Sequence, residues 1–168
     1  EEGIASESDT FECGGSLQVG SHTIKCWKTS GHGSQILPQI LQNSCNVGFM
    51  KLGEKIGKET LNEYIKKLGF GKTTGIDLPG ESHGITGRSF DKNGNILSGS
   101  VLDLSYGNYD AYTPIQLVQY ISTIANGGYR MKPYLVQSIG KTDPHNNKIS
   151  ILYNTKPKVQ MCIPYKKD

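Results

Sequence analysis

Apolar residues spaced three and four apart mark the helices of this chain. Ile36, Leu37, Ile40 and Leu41 predict a helix from about Gln35, in which Pro38 is tolerable only in the first turn, where its missing N–H costs nothing. A second apolar stretch, Val47, Phe49, Met50, Leu52 and Ile56, follows a polar break at Asn43-Ser44-Cys45-Asn46. A third helix is one-sided, with Leu61, Tyr64, Ile65 and Leu68 on its stripe, Thr60 and Glu63 at capping-box spacing and Gly69 as its stop. Thr113-Pro114-Ile115-Gln116 is the best-signalled start, a capping box with proline at the first helical position. Leu117, Tyr120, Ile121 and Ile124 are the stripe this last helix is expected to bury, and Asn126-Gly127-Gly128 ends it.

Alternation with period two predicts the strands. Residues 17–27 alternate loosely around Gly20-Ser21 and predict a short hairpin, preceded by an extended segment at Asp9-Thr10-Phe11. Pro133-Tyr134-Leu135-Val136 and Ile149-Ser150-Ile151-Leu152-Tyr153 read as further strands. Between the third and last helices, from Gly69 to Ser100, the chain is rich in Gly, Asp, Asn and Ser, which is the chemistry of turns. An irregular stretch of that length is usually functional or wraps a neighbour. The class is therefore α+β.

Composition narrows the picture. At 168 residues one domain with a core is the default, yet 35% hydrophobic residues and 21 glycines suggest long loops or a piece of something larger. A net charge of +3 with scattered lysines (Lys51, Lys55, Lys58, Lys66, Lys67) argues against a nucleic-acid partner. No apolar run approaches the roughly 18 residues of a membrane span, and no leader-like segment is present, so this stretch is expected to be soluble.

Two groups of residues carry candidate chemistry. Ser44 and Asn46 sit two apart at the junction of two helices, where both side chains can face a cleft while their neighbours are buried. The bland alternative is that they only cap a helix. Cys13, Cys26 and His32 lie within twenty residues of one another, and His32 stands in the loop Thr29-Ser30-Gly31-His32-Gly33 with a glycine on each side. Thiolate and imidazole suit zinc, which takes four ligands in a tetrahedral site, and the fourth could be Asp9, His22 or Cys45. His83 and His145 are in polar loops and are expected to be solvated. Asp103, Ser105 and Tyr106 are expected to anchor the loop before the last helix, without a catalytic role.

In chain order, several short stretches resemble the transpeptidase domain of class B penicillin-binding proteins, most closely the sporulation type of Gram-positive bacteria. They are Glu2-Gly3-Ile4, Asp9-Thr10-Phe11, Ile24-Lys25-Cys26-Trp27, Gly31-His32-Gly33, Asn43-Ser44-Cys45-Asn46, Leu68-Gly69-Phe70-Gly71, Thr74-Gly75-Ile76-Asp77-Leu78-Pro79-Gly80-Glu81, Ser105-Tyr106-Gly107, Thr113-Pro114-Ile115-Gln116-Leu117 and Thr123-Ile124-Ala125-Asn126-Gly127-Gly128. The resemblance runs from about residue 1 to about residue 136 of a partial domain spanning 1–168, and residues 137–168 carry no assignment. Ser44-Cys45-Asn46 stands where the family has Ser-x-Asn; its other two signatures, Ser-x-x-Lys and Lys-Thr-Gly, have no counterpart in their family settings. Ser89-Phe90-Asp91-Lys92 and Ser138-Ile139-Gly140-Lys141 spell Ser-x-x-Lys, but neither is expected to form the helical turn that brings lysine beside serine.

The resemblance implies a parent D,D-transpeptidase acting on peptidoglycan stem peptides at the extracytoplasmic face of the membrane in cell-wall or spore-cortex synthesis, and acylated by β-lactams. It assigns Ser44 a proton relay between the general-base lysine and the leaving nitrogen, and Asn46 the substrate's amide carbonyl. Lacking the nucleophile, this chain alone is expected to be inactive. Work outside the membrane also offers Cys13 and Cys26 a disulfide as the alternative to zinc. The rival is a non-catalytic, zinc-stabilised binding or scaffold module. If the family sheet is cut, its open strand edges are expected to pair with a second copy.

Overall fold

The computed structural model describes residues 2–86 and 89–163, and of Ser98 the backbone alone. These fall into two compact units, one formed by Glu1–Tyr64 with Thr86–Ala111 and the other by Ile65–Ile85 with Tyr112–Asp168. Helices are mixed with antiparallel strand pairs, as an α+β class requires, and among the described residues no strand has ladder partners on both sides.

The first unit opens with β1 (Thr10–Cys13), β2 (Ser16–Val19), β3 (His22–Lys25) and β4 (Gly33–Ile36). The hairpin expected around Gly20-Ser21 is β2 paired with β3, Val19 opposite His22, while β1 pairs with β4 so that Cys13 lies opposite Gly33. Then come α1 (Leu37–Gln42), α2 (Asn46–Ile56) and the start of α3 (Lys58–Leu68). Pro38 does sit in the first turn of α1. Phe11, Ile40, Val47, Met50 and Leu102 pack with Cys13, Cys26 and Cys45 into one core, in which Ile40 and Met50 are 0% exposed. Full burial of side chains this size is worth roughly 1.5–3 kcal/mol each.

In this unit two local features differ from the sequence expectation. Thr60 does not start the third helix. Gly57 closes α2 at φ +82° and its carbonyl accepts from Leu61 N, so α3 begins at once and Thr60 lies inside it. Asp103 and Ser105 belong to a separate helix, α4 (Val101–Ser105), too short to announce itself by periodicity. It packs on α2 where Gly53 leaves no room for a Cβ beside the Ser105 hydroxyl.

The second unit holds α5 (Pro114–Ala125), β5 (Tyr129–Met131), β6 (Ser138–Thr142), β7 (Ile149–Asn154) and β8 (Val159–Cys162). The capping box of α5 forms as read, with Thr113 Oγ1 accepting from Gln116 N and Gln116 Oε1 accepting from Thr113 N. Of the expected stripe Tyr120 alone is half-buried, its ring against Phe70, and the fully buried positions are others. Gln116, Gln119 and Thr123 are buried, whereas Leu117, Ile121 and Ile124 are exposed, Ile121 by 59%. The reason is hydrogen bonding: Gln116 Nε2 donates to the carbonyls of Lys72 and His83, and Gln119 Nε2 to the Met131 carbonyl and Gln160 Oε1.

Residues 133–136 are not a strand either. Pro133 has no N–H, and Leu135 and Val136 donate theirs to the Asp77 carboxylate at 2.7 and 2.9 Å rather than to a ladder. Strand structure falls on both sides instead, in β5 and β6, and β6 pairs with β7. The irregular stretch 69–85 is held from within. Glu81 accepts from Thr74 N, Thr74 Oγ1 and Gly75 N, which keeps its carboxyl below the usual range against the opposing effect of burial.

Candidate functional site

The polar break between α1 and α2 is a tight reversal. The last turn of α1 closes through Asn43 N to the Gln39 carbonyl, Ser44 N to Leu41 and Cys45 N to Ile40, at 2.9 to 3.1 Å. To make that reversal Ser44 takes φ +48°, one of three positive-φ residues other than glycine among those described. A non-glycine residue in this region is uncommon and carries strain. Cys45, not Ser44, is the N-cap of α2, its Sγ accepting from Gly48 N at 3.3 Å. Ser44 is exposed, Asn46 is half-buried at the first helical position, and neither side chain caps α2.

Cys45 also belongs to a second group. The ligand atoms of Cys13, Cys26, His32 and Cys45 all lie within 4.8 Å of one another, with the three thiols buried. His32 Nδ1 is 3.7 Å from Cys13 Sγ and 3.6 Å from Cys26 Sγ. Each element has a reason to bring its residue here. Cys13 ends β1; Cys26 follows β3, where its N–H donates to the Gly15 carbonyl; His32 sits between Gly31 and Gly33, both at positive φ. A Cβ at Gly31 would collide with the Cys13 carbonyl, so only glycine lets the loop close over the thiols. Of the three candidates for a fourth member, Asp9 pairs with Lys55 and Ser6, and His22 is exposed in β3. All four cysteines are free thiols, so Cys13 and Cys26 are neighbours without a bond.

The electrostatics around the thiols follow the start of α2. Burial opposes ionisation of Cys26, but the backbone N–H groups of Lys28, Val47 and Asn46 outweigh it and hold that thiol below its usual value. Burial pushes the Cys45 thiol up to about 11, and the adjacent Cys13 adds to the rise against the pull of Gly48 N–H. Ionisation is thus eased at Cys26 and opposed at its neighbour Cys45. A dication among them would favour both thiolates. The donor set fits zinc: with bonds of about 2.3 Å to sulfur and 2.0 Å to nitrogen, a tetrahedron has S···N edges of about 3.5 Å, near the 3.6 and 3.7 Å between His32 Nδ1 and the thiols of Cys26 and Cys13.

Two residues of this neighbourhood escaped sequence reasoning. Gln35 is buried beside the reversal and accepts from Asn43 Nδ2 at 2.6 Å. Trp27 donates its indole N–H to the carbonyls of both Asn43 and Ser44, 3.1 Å each, with its ring edge-on to His32. Its place directly after Cys26 was the available signal. The two Ser-x-x-Lys spellings are not helical: Ser138 and Lys141 lie on β6, where residues three apart face opposite ways, and Ser89 is in a turn, buried, with its hydroxyl unpartnered among the described residues.

The family profile described as penicillin binding protein transpeptidase domain matches residues 1–166. The chain belongs to that family. The transpeptidase segment is 39% identical to stage V sporulation protein D of Bacillus subtilis over 137 residues, covering 82% of this chain and 21% of that protein. It is 36% identical to B. subtilis penicillin-binding protein 2A, covering 80% of this chain and 20% of the relative. Among solved structures, penicillin-binding protein 3 of Mycobacterium tuberculosis complexed with aztreonam superposes with a TM-score of 0.73 at 25% identity, covering 96% of this chain and 35% of that one. Penicillin-binding protein 2 of Helicobacter pylori in complex with MreC gives 0.66 at 28% identity, covering 85% and 26%. The segment spans about a fifth of the length of the curated relatives it matches. No helix among its described residues is long and apolar enough to cross a membrane.

Proposed function

We propose that this segment is the Ser-x-Asn side of a peptidoglycan D,D-transpeptidase active site, in a parent protein that works at the outer face of the membrane in cell-wall or spore-cortex synthesis. The observation that carries the reading is the reversal at Ser44. Cys45 takes the capping duty, so the serine and the asparagine that follows it are not occupied as helix caps. In the complete domain a nucleophilic serine attacks the D-Ala-D-Ala carbonyl of a stem peptide, or the carbonyl of a β-lactam, to give an acyl-enzyme. The Ser44 hydroxyl passes a proton between the general-base lysine and the leaving nitrogen. The Asn46 amide holds the substrate's amide carbonyl and orients that lysine.

Without Ser-x-x-Lys on a helical turn, the segment alone forms no acyl-enzyme. Intact mass after excess benzylpenicillin is expected to be unchanged; a stoichiometric adduct would point to Ser89 or Ser138 and overturn the assignment. In the full-length protein, Ser44→Ala is expected to slow acylation by about 100-fold, within the span of general acid–base catalysis. An unchanged rate would remove Ser44 from the proton path, whereas a full-length parent that is not acylated at all would leave the non-catalytic module as the better account.

The four-residue cluster supports a second assignment. Cys13, Cys26, His32 and Cys45 would hold zinc as a closed structural centre, with no coordination position left for substrate. Zinc would supply stability there, and Cys45 would carry it to the turn next to Ser44. About one equivalent of zinc per purified chain is the expected content. Metal-free protein with a Cys13–Cys26 disulfide by mass spectrometry would refute it. The exposed edges of β6 and β7 favour pairing with a second copy, which light scattering would register.

A further inference from the structure

We infer that Trp27 is a positioning residue that holds the Ser44 reversal and ties it to the cysteine–histidine cluster; this rests on the reading of Ser44 and Asn46 given above. The last carbonyls of a helix have no partner within it and must find one elsewhere. The α1 carbonyls of Gln39, Ile40 and Leu41 are met by the N–H groups of residues 43–45, and the carbonyls of the C-cap Asn43 and of Ser44 just beyond it accept from a single side-chain donor, the Trp27 indole N–H, at 3.1 Å to each. Ser44 is also the residue with φ +48°. A strained conformation persists only where its surroundings over-determine it, and this side-chain bond reaches it from 17 residues away in sequence.

The placement of the indole has no account in core packing. Trp27 is 64% exposed, the largest side chain in the chain and its only tryptophan, yet it lies beside a well-packed core without entering it. What holds it is its N–H on one side and the edge-on contact with His32 on the other, ring centres 5.1 Å apart and planes at 69°. Cys26, its chain neighbour, is a member of the cluster. Two residues of the cluster therefore flank Trp27, one through the backbone and one through the ring, and its N–H passes that constraint to the serine turn.

Trp27→Phe keeps an aromatic ring next to His32 and deletes only the donor. In the zinc-loaded chain, amide hydrogen exchange at Asn43, Ser44 and Cys45 is expected to quicken about tenfold, the scale of one net hydrogen bond, with exchange in β1 unchanged and zinc content unaltered. Equal exchange at 43–45 in variant and parent overturns the inference. So does a uniform rise through β1 and α2, which would make Trp27 a general stability residue.

In the full-length protein the same variant is expected to lower the first-order acylation rate by benzylpenicillin about tenfold and to leave the preceding dissociation constant within twofold. A weakened dissociation constant with an unchanged rate would instead make Trp27 a substrate contact and refute the positioning role. Ser44→Ala and Asn46→Ala, measured alongside, separate the two ideas: if they acylate normally, the reading of the motif fails; if they are slow while Trp27→Phe is not, only this inference fails.

Discussion

The two compact units bury different chemistry. In the first, aliphatic side chains, an aromatic ring and three thiols close on one another, with Ile40 and Met50 wholly inside. In the second, Ile163 is the one apolar side chain buried among those described, and the interior of α5 is Gln116, Gln119 and Thr123 bonded to loop carbonyls. Many of its aliphatic residues are exposed, Leu152 on β7 by 69%. The lesson is that burial holds the first unit and directional hydrogen bonds hold the second. The candidate chemistry sits in the first, where close packing can fix an awkward backbone such as that of Ser44.

The sharpest test of that contrast is the metal. Cys13→Ser is expected to abolish zinc binding, measured by elemental analysis, and to unfold the first unit at lower temperature while leaving the second alone. At a thousand times its dissociation constant, zinc held by the proposed centre would add about 4 kcal/mol, or roughly 15–30 °C in midpoint for a unit of this size. Coincident melting of both units with and without zinc would break the comparison.

Next comes packing. Met50→Ala is expected to cost about 2–5 kcal/mol in denaturant unfolding, because it leaves a cavity in a fully buried site. Leu152→Ala, on an exposed position, is expected to stay within about 0.5 kcal/mol. Similar losses from both would mean that β7 is covered in solution, as pairing with a second copy would do.

The second unit has its own weak point in Gln116. Replacing it with Ala strands the buried side of the Lys72 and His83 carbonyls and breaks the cap of α5, with an expected loss of about 1–3 kcal/mol by the same denaturation measurement. A neutral Gln116→Ala would show that water substitutes freely there and that the polar interior is not what holds α5.

The smallest effect is on pH. In the second unit, the Leu135 and Val136 amides hold Asp77 below the usual carboxylate range, and contacts from Thr74 and Gly75 outweigh burial to do the same for Glu81. Their folded values lie below their unfolded ones, so the stability they give is present above about pH 4.5 and is lost as pH falls through the lowered values. Protection of the amides of Gly75, Leu135 and Val136, measured relative to the intrinsic exchange rate at each pH, is therefore expected to fall on acidification below about pH 4. In the first unit Asp9, lowered to about 2 by Lys55 and then by Ser6, loses its contribution only between its usual value near 3.8 and about 2. Loosening of the Asp9 end before the Asp77 loop would reverse the expected order.

Local signals gave much of the first unit. Glycines on both sides of His32, the hairpin at Gly20-Ser21, the Pro38 start and the polar break at Ser44 each act over a few residues, and each appears as read. The capping box at Thr113 is equally local and equally visible, and the order of short stretches was enough to reach the family. Where competition between partners decides, the residues alone did not. Thr60 carried a cap's spelling, but Gly57 supplied the first carbonyl three residues earlier. Leu135 and Val136 spelled a strand, but Asp77 took their N–H groups from 58 and 59 residues away.

What the sequence by itself determined was the mix of helices and strands and the residue types gathered near position 44, which follow from periodicity, caps and turn chemistry within short windows, and the family, which follows from the resemblance of its ordered short stretches. Tertiary structure alone decided which face of α5 is inside, that Cys45 rather than Asp9 or His22 joins Cys13, Cys26 and His32, and that Trp27 reaches the Ser44 carbonyl. Each of these is a choice among chemically equivalent partners far apart in the chain. Hydrogen-bond geometry and the space left by neighbouring backbone make that choice, and neither is encoded in spacing.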